Sequence, residues 1–151
     1  MWGEDTESKI QFYFEDIDPI VPDLAALLRK WIPLVIRNKQ KELEQVNIIF
    51  CSDPYLHQIN QEYLNHDTYT DIITFPYSEP PLIEGDIFIS VDRVKENAQT
   101  FKVEFPEELS RIIIHGILHL CGFKDKSKNE KQIMTSEENT ALELLNTLSA
   151  S

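Results

Sequence analysis

The chain predicts an α+β fold, with a small mixed β-sheet of about four strands packed with about five helices. Two observations carry that expectation. Short β-branched and aromatic runs alternate with helix-spaced apolar patterns as far as Ser90, and everything after Ser90 follows helical spacing. No repeat, low-complexity tract or linker-like stretch interrupts the 151 residues, so residues 1–151 read as one domain.

Taken in order, Ile10-Gln11-Phe12-Tyr13-Phe14 is short and aromatic-rich, a first strand. Pro22-Asp23 opens a helical pattern with Leu24, Leu27, Leu28 and Trp31, and Pro33 should kink or interrupt it before Gln40. Gln45 to Ser52, with Val46, Ile48, Ile49 and Phe50, is a second strand. Asp53-Pro54 caps another helix, whose apolar face is Leu56, Ile59, Tyr63 and Leu64. Ile72-Ile73-Thr74-Phe75 is a β-branched run ended by Pro76. Ser78-Glu79-Pro80-Pro81 is a loop, and Gly85 to Ser90 resumes as strand. Three helices follow: Val91 to about Phe101, Pro106 to Cys121, and about Asn129 to Leu148. In the last, Ile133, Leu142, Leu144 and Leu145 read as core packing. The order of strands in the sheet is not contained in this pattern.

Composition narrows the class. With 42% apolar and 10% aromatic residues, wholesale disorder is excluded. A chain of this length buries about 68–70% of the surface it exposes when unfolded. No apolar run reaches the roughly 18 residues of a membrane span. Met1-Trp2-Gly3-Glu4-Asp5 lacks the basic start and apolar core of a signal peptide, so a cytoplasmic protein without a membrane partner is expected. Cys51 and Cys121 are too few for a disulfide scaffold and fit a reducing compartment. The 14 basic and 26 acidic residues leave a net charge of −12, which taken alone argues against a partner made of phosphates.

The chemistry concentrates in His115-Gly116-Ile117-Leu118-His119-Leu120-Cys121-Gly122-Phe123-Lys124-Asp125. Two histidines four apart sit one turn apart on the same helix face and can share one metal ion. On their own, such pairs are commonly just half-buried polar side chains. Gly122, three residues on, suits a helix ending in a left-handed conformation, and the reversed chain lets Asp125 approach the same ion from a third side. The offsets 0, 4, 7 and 10 from His115 follow the ligand, ligand, turn, ligand spacing of metzincin sites. Three protein ligands leave a position for water, as in catalytic zinc sites. Of the 4 glycines in the chain, Gly116 and Gly122 both fall here. Glycine within a helix costs about 1 kcal/mol relative to alanine, so Gly116 is expected to admit a close neighbour. A helical zinc protease carries Glu directly after its first His as general base. Gly116 occupies that place, so peptide hydrolysis by the usual route lacks its proton acceptor.

At these residues the chain resembles the YbeY family of bacterial metal-dependent endoribonucleases, whose hallmark reads His-Gly-x-Leu-His-Leu-x-Gly-Tyr-Asp-His. Ile59 to Pro76 and Gly85 to Ser90, leading into Val91 and Asn97-Ala98, are similar to further blocks of the family. Their order and spacing match over roughly Gln45 to Leu145. The resemblance implies an α+β fold with one zinc ion at the end of a helix in the C-terminal half. It also implies cutting of single-stranded rRNA in maturation of the small-subunit rRNA 3′ end and in ribosome quality control. Family members work with the small ribosomal subunit and its proteins in the bacterial cytoplasm, and DNA is not an expected partner. The chain departs from the family pattern in two places. Asp125, preceded by Lys124, stands where the family usually has its third His, preceded by Asp. Leu64 stands where the family typically has an Arg associated with activity. A carboxylate ligand hardens the site, making manganese or iron more competitive, and should leave bound water less acidic than three imidazoles do.

The expectation is therefore a single-strand-specific, zinc-dependent endoribonuclease with His115, His119 and Asp125 as ligands and no general base assigned. Arg111, one turn before His115, can either clamp a scissile phosphate or pair with Glu107 or Glu108. Lys124, Lys126, Lys128 and Lys131 form either a solvated surface or a phosphate-facing patch. His66, in the polar turn Asn65-His66-Asp67, is either a surface histidine or one that approaches the site from the second block. Asp67, Thr70 and Asp71 read as satisfying turn backbone. Cys121 is either a ligand or a buried small side chain. Alternatives are a non-catalytic ribosome assembly factor with a structural metal, a zincin-like metalloprotease, and a two-His-one-carboxylate iron oxygenase.

Overall fold

The computed structural model of the protein describes residues 6–20, 22–65 and 70–150. The strands are β1 (Ile10–Phe14), β2 (Glu42–Cys51), β3 (Ile72–Pro76) and β4 (Leu82–Ser90). The helices are α1 (Pro22–Asn38), α2 (Asp53–Leu64), α3 (Val91–Phe101), α4 (Phe105–Leu120) and α5 (Lys128–Ala150). The sheet order is β1-β2-β4-β3. β1, β2 and β4 run parallel, and β3 pairs antiparallel at one edge, so the sheet is mixed and the fold α+β. Among the described residues, no helix is long and apolar enough to cross a membrane.

The two central strands explain the apolar density of the sequence. Ile48, Ile49, Phe50 and Cys51 are all buried, as expected of a strand covered on both faces. Ile48, Phe50, Ile83, Ile87 and Ile89 join the main core with α1, α4 and α5. Cys51 joins Leu56 and Ile59 of α2 and Ile73 of β3 in a second, smaller cluster.

α1 continues through Pro33 without the expected interruption. A proline inside a helix costs about 3 kcal/mol, from the missing hydrogen bond and the clash of its ring with the preceding turn. Trp31, Ile32, Val35 and Ile36 on both sides of the proline are buried, at about 1.5–3 kcal/mol each, which outweighs that cost. The Trp31 indole N–H also donates to the Ala141 carbonyl at 2.8 Å, tying α1 to α5. The cap of α2 is Ser52 rather than Asp53: its hydroxyl accepts from the Tyr55 N–H at 3.2 Å, and Asp53 opens the first turn. On α5 the buried face is Met134, Glu138, Ala141 and Leu145. Ile133 is 44% exposed and does not belong to the core, because it lies one residue off that stripe.

α4 lies against β3 and β4, and Gly116 makes that approach possible. A Cβ there would sit 2.9 Å from Ile72 Cδ1 and 3.1 Å from Ile87 Cδ1, closer than side chains pack. With no Cβ, the helix carrying both histidines rests directly on the sheet.

Candidate metal centre

The centre is assembled by one helix, a turn and the next helix. α4 ends in a Schellman arrangement. The Phe123 N–H donates to Leu118 O and the Gly122 N–H to His119 O, both at 3.0 Å, with Gly122 at φ 107°. The reversal brings Asp125 back beside the helix it has just left. α5 then begins with a capping box formed by Ser127 and Glu130. The Glu130 N–H donates to Ser127 Oγ at 3.0 Å, and the Glu130 carboxylate accepts from the Ser127 and Lys126 N–H groups. Those two bonds hold the Glu130 carboxyl below its ordinary range.

The three expected ligands converge. His115 Nε2 and His119 Nε2 are 3.0 Å apart, and Asp125 Oδ2 lies 3.2 Å from the first and 3.3 Å from the second. Four-coordinate zinc with bonds of about 2.0–2.2 Å puts donors about 3.3–3.6 Å apart, so the spacing is close to that of a metal centre. The other ring nitrogens are engaged. His119 Nδ1 lies 2.9 Å from the Phe123 carbonyl, and His115 Nδ1 lies 2.6 Å from Glu138 Oε2. A carbonyl accepts only, and so does an ionised carboxylate, so both Nδ1 atoms donate. In neutral rings both Nε2 atoms then present lone pairs, and these face each other and a carboxylate oxygen. Three acceptors around one point require a cation or a proton. Among the described residues, these three form the group able to hold a metal ion.

Burial pushes the His115 imidazole down, but the hydrogen bond and charge of Glu138, with Asp125 and Asp71, outweigh it and hold the ring above the ordinary histidine value. The acids that would favour a cation at this point also favour a proton.

The family model described as Endoribonuclease YbeY matches residues 11–146. The chain belongs to the YbeY endoribonuclease family. Endoribonuclease YbeY of Flavobacterium psychrophilum is 54% identical over 114 residues, covering 76% of this chain and 81% of that one. Endoribonuclease YbeY of Parabacteroides distasonis is 48% identical over 140 residues, covering 90% and 95%. The solution structure of TM1509 from Thermotoga maritima shares the fold at a TM-score of 0.67 and 27% identity, over 90% of this chain and 88% of that one.

Arg111, which helix spacing singles out, lies beside His115, but the pairing expected for it is not the one formed. Its guanidinium donates to Glu138 Oε1 and Asn139 Oδ1, each at 2.8 Å, so its hydrogen-bonded partners are on α5 rather than Glu107 or Glu108. With His115, Glu138, Asp71 and Asn97 it lines a cleft of about 340 Å³. Asp71 accepts from Asn97 Nδ2 at 3.3 Å, so its side chain joins α3 to the turn before β3, while Thr70 donates to Ile72 O. Lys124, Lys126, Lys128 and Lys131 are exposed, and none lines this cleft. Leu64 is 40% exposed at the end of α2. Cys121 is buried in the main core, and burial pushes its thiol up to about 11, against the opposing charges of Lys41 and Lys39. It is a packing residue. His66 and Asp67 lie outside the described residues, as does Met1 to Asp5.

Sequence reasoning missed Glu138 and the capping box. The signals were present: a carboxylate on an apolar stripe with Met134, Ala141 and Leu145, and Ser127-Lys128-Asn129-Glu130 as a Ser-x-x-Glu start.

Proposed function

We propose that the protein, as one domain over residues 1–151, is a zinc-dependent endoribonuclease that cuts single-stranded RNA in maturation of the small-subunit rRNA 3′ end. The observation that carries the reading is the convergence of three acceptor atoms 3.0–3.3 Å apart at a family-specific motif. Relatives named endoribonucleases support RNA as substrate and do not favour the protease or assembly-factor alternatives. His115, His119 and Asp125 would hold the ion; manganese or iron could replace zinc because one donor is a carboxylate. When bound, a divalent ion supplies Lewis acidity toward a phosphoryl oxygen and acidifies water.

The chain's own residues orient the rest. The Phe123 carbonyl and Glu138, each at one imidazole's Nδ1, would keep the two Nε2 atoms turned toward a bound ion. Arg111, on the cleft wall with His115, is the cation proposed to meet the phosphate backbone, held in place by Glu138. With a net charge of −12, free RNA should bind weakly and with strong salt dependence. Docking on basic proteins of the small ribosomal subunit in the cytoplasm is the route by which an acidic protein would reach rRNA.

The test is metal analysis of the purified protein beside cleavage of an end-labelled single-stranded RNA. His119→Ala and Asp125→Ala should lose both metal and cleavage. Full cleavage by the metal-free double variant would sink the reading.

A further inference from the structure

His115 and His119 are oriented by different kinds of partner. His119 is fixed by the carbonyl of Phe123, four residues away in the same turn. His115 is fixed by Glu138, 23 residues away on α5. Glu138 is the charged residue in the buried face of that helix, between Met134 and Ala141. An apolar side chain would pack there without the penalty of burying charge. Instead the carboxylate serves two partners with its two oxygens: Oε2 lies 2.6 Å from His115 Nδ1, and Oε1 accepts from Arg111 at 2.8 Å. Because an ionised carboxylate only accepts, the neutral imidazole must carry its proton on Nδ1, which leaves Nε2 bare and facing His119 and Asp125. Without this partner the ring can turn, or shift its proton to Nε2 and block the donor.

We propose that Glu138 is a positioning residue of the metal centre, which selects the Nδ1–H form of His115 and anchors Arg111 on the cleft wall with its other oxygen. The proposal rests on the reading that His115, His119 and Asp125 hold a metal ion. It makes the docking of α5 part of the centre, although α5 contributes no ligand.

The experiment is zinc titration of the full metal-free chain against a chromophoric chelator, for the unchanged protein, Glu138→Gln and Glu138→Ala, with thermal unfolding of each metal-free chain. Glutamine keeps the shape but has one acceptor oxygen for two donors. The zinc dissociation constant is expected to rise about tenfold in Glu138→Gln and toward about 100-fold in Glu138→Ala, the range that outer partners of ligands command. The cobalt-loaded variants should also show an altered visible spectrum, which packing damage remote from the ion would not produce. If Glu138→Ala does not unfold cooperatively, Glu138→Gln decides. Zinc affinity of Glu138→Gln within twofold of the unchanged protein, with the same cobalt spectrum, overturns the role of Glu138 and leaves the centre standing. An unchanged protein that takes up no metal overturns both.

Discussion

Two concave regions of this protein are made in opposite ways. The candidate metal centre and its supports lie between Arg111 and Asn139, from the middle of α4 through one turn to the middle of α5. The other is a groove of about 430 Å³ lined by Tyr55 and Tyr63 of α2, Phe75 of β3, Phe88 and Asp86 of β4, and Tyr77. Its walls are aromatic contacts: Phe75 meets Tyr63 and Phe88 edge-on at 6.2 and 5.8 Å, and Tyr77 donates to Asp86 at 2.6 Å. In the first region, helical spacing and a glycine turn, which act over a few residues, bring His115, His119 and Asp125 together. The second exists only because α2 crosses strands whose register is set far away in sequence. Local geometry brings the three candidate ligands together; tertiary packing makes the groove and sets Glu138 against His115.

The sharpest way to break that contrast is to remove a ligand. Asp125→Ala should weaken zinc binding about 100-fold or more by chelator competition. Tyr63→Ala, in the groove, should leave the affinity within twofold. Equal losses would mean that the regions are not independent.

Gly116→Val tests how far the centre depends on the sheet. Its branched side chain would meet Ile72 and Ile87, where even a Cβ sits at 2.9–3.1 Å, and should cost about 2–3 kcal/mol in urea unfolding. Gly122→Ala forces a side chain into φ 107°, and about 1–2 kcal/mol is expected, with weaker zinc binding because the Phe123 carbonyl moves with the turn. Ser127→Ala removes the cap of α5 for about 1 kcal/mol, read from the shift in denaturation midpoint.

The smallest effect concerns the thiols. Burial, reinforced by Asp16 and other nearby acids, holds Cys51 up to about 12, and burial holds Cys121 up to about 11. Neither should react with iodoacetamide in the native protein at pH 8, whereas the denatured chain should gain both adducts by mass. The sign follows from linkage. The folded state favours the neutral thiol, so this contribution is complete below the ordinary thiol value and declines as pH rises toward about 11 and 12. Urea midpoints should fall across that alkaline window and not at neutral pH.

Legibility in the sequence tracked the range of the interaction. β1 and α3 fall on the residues that period and turn signals indicate, since both are bounded by local stops. The Gly122 turn and the approach of Asp125 were equally readable, because a left-handed glycine reverses a helix within a few residues. The helix through Pro33 was not readable, because burial of Trp31, Ile32, Val35 and Ile36 overrides a local penalty. The partner of Arg111 was misplaced for a related reason. Glu107 and Glu108 are close in sequence, but α5 supplies Glu138 and Asn139 at hydrogen-bond distance.

The sequence by itself determined the types of the main elements, the meeting of His115, His119 and Asp125, and the family, because helix period, glycine conformation and donor chemistry are properties of a few adjacent residues. Only the tertiary structure decided the strand order, the engagement of Arg111, and the use of Glu138 to orient His115. Each of these depends on which element packs beside which, and no spacing within a single element encodes that. The net charge of −12 belongs to both levels: it is legible from composition, but it does not reveal that none of the four lysines beside Asp125 lines the cleft next to His115.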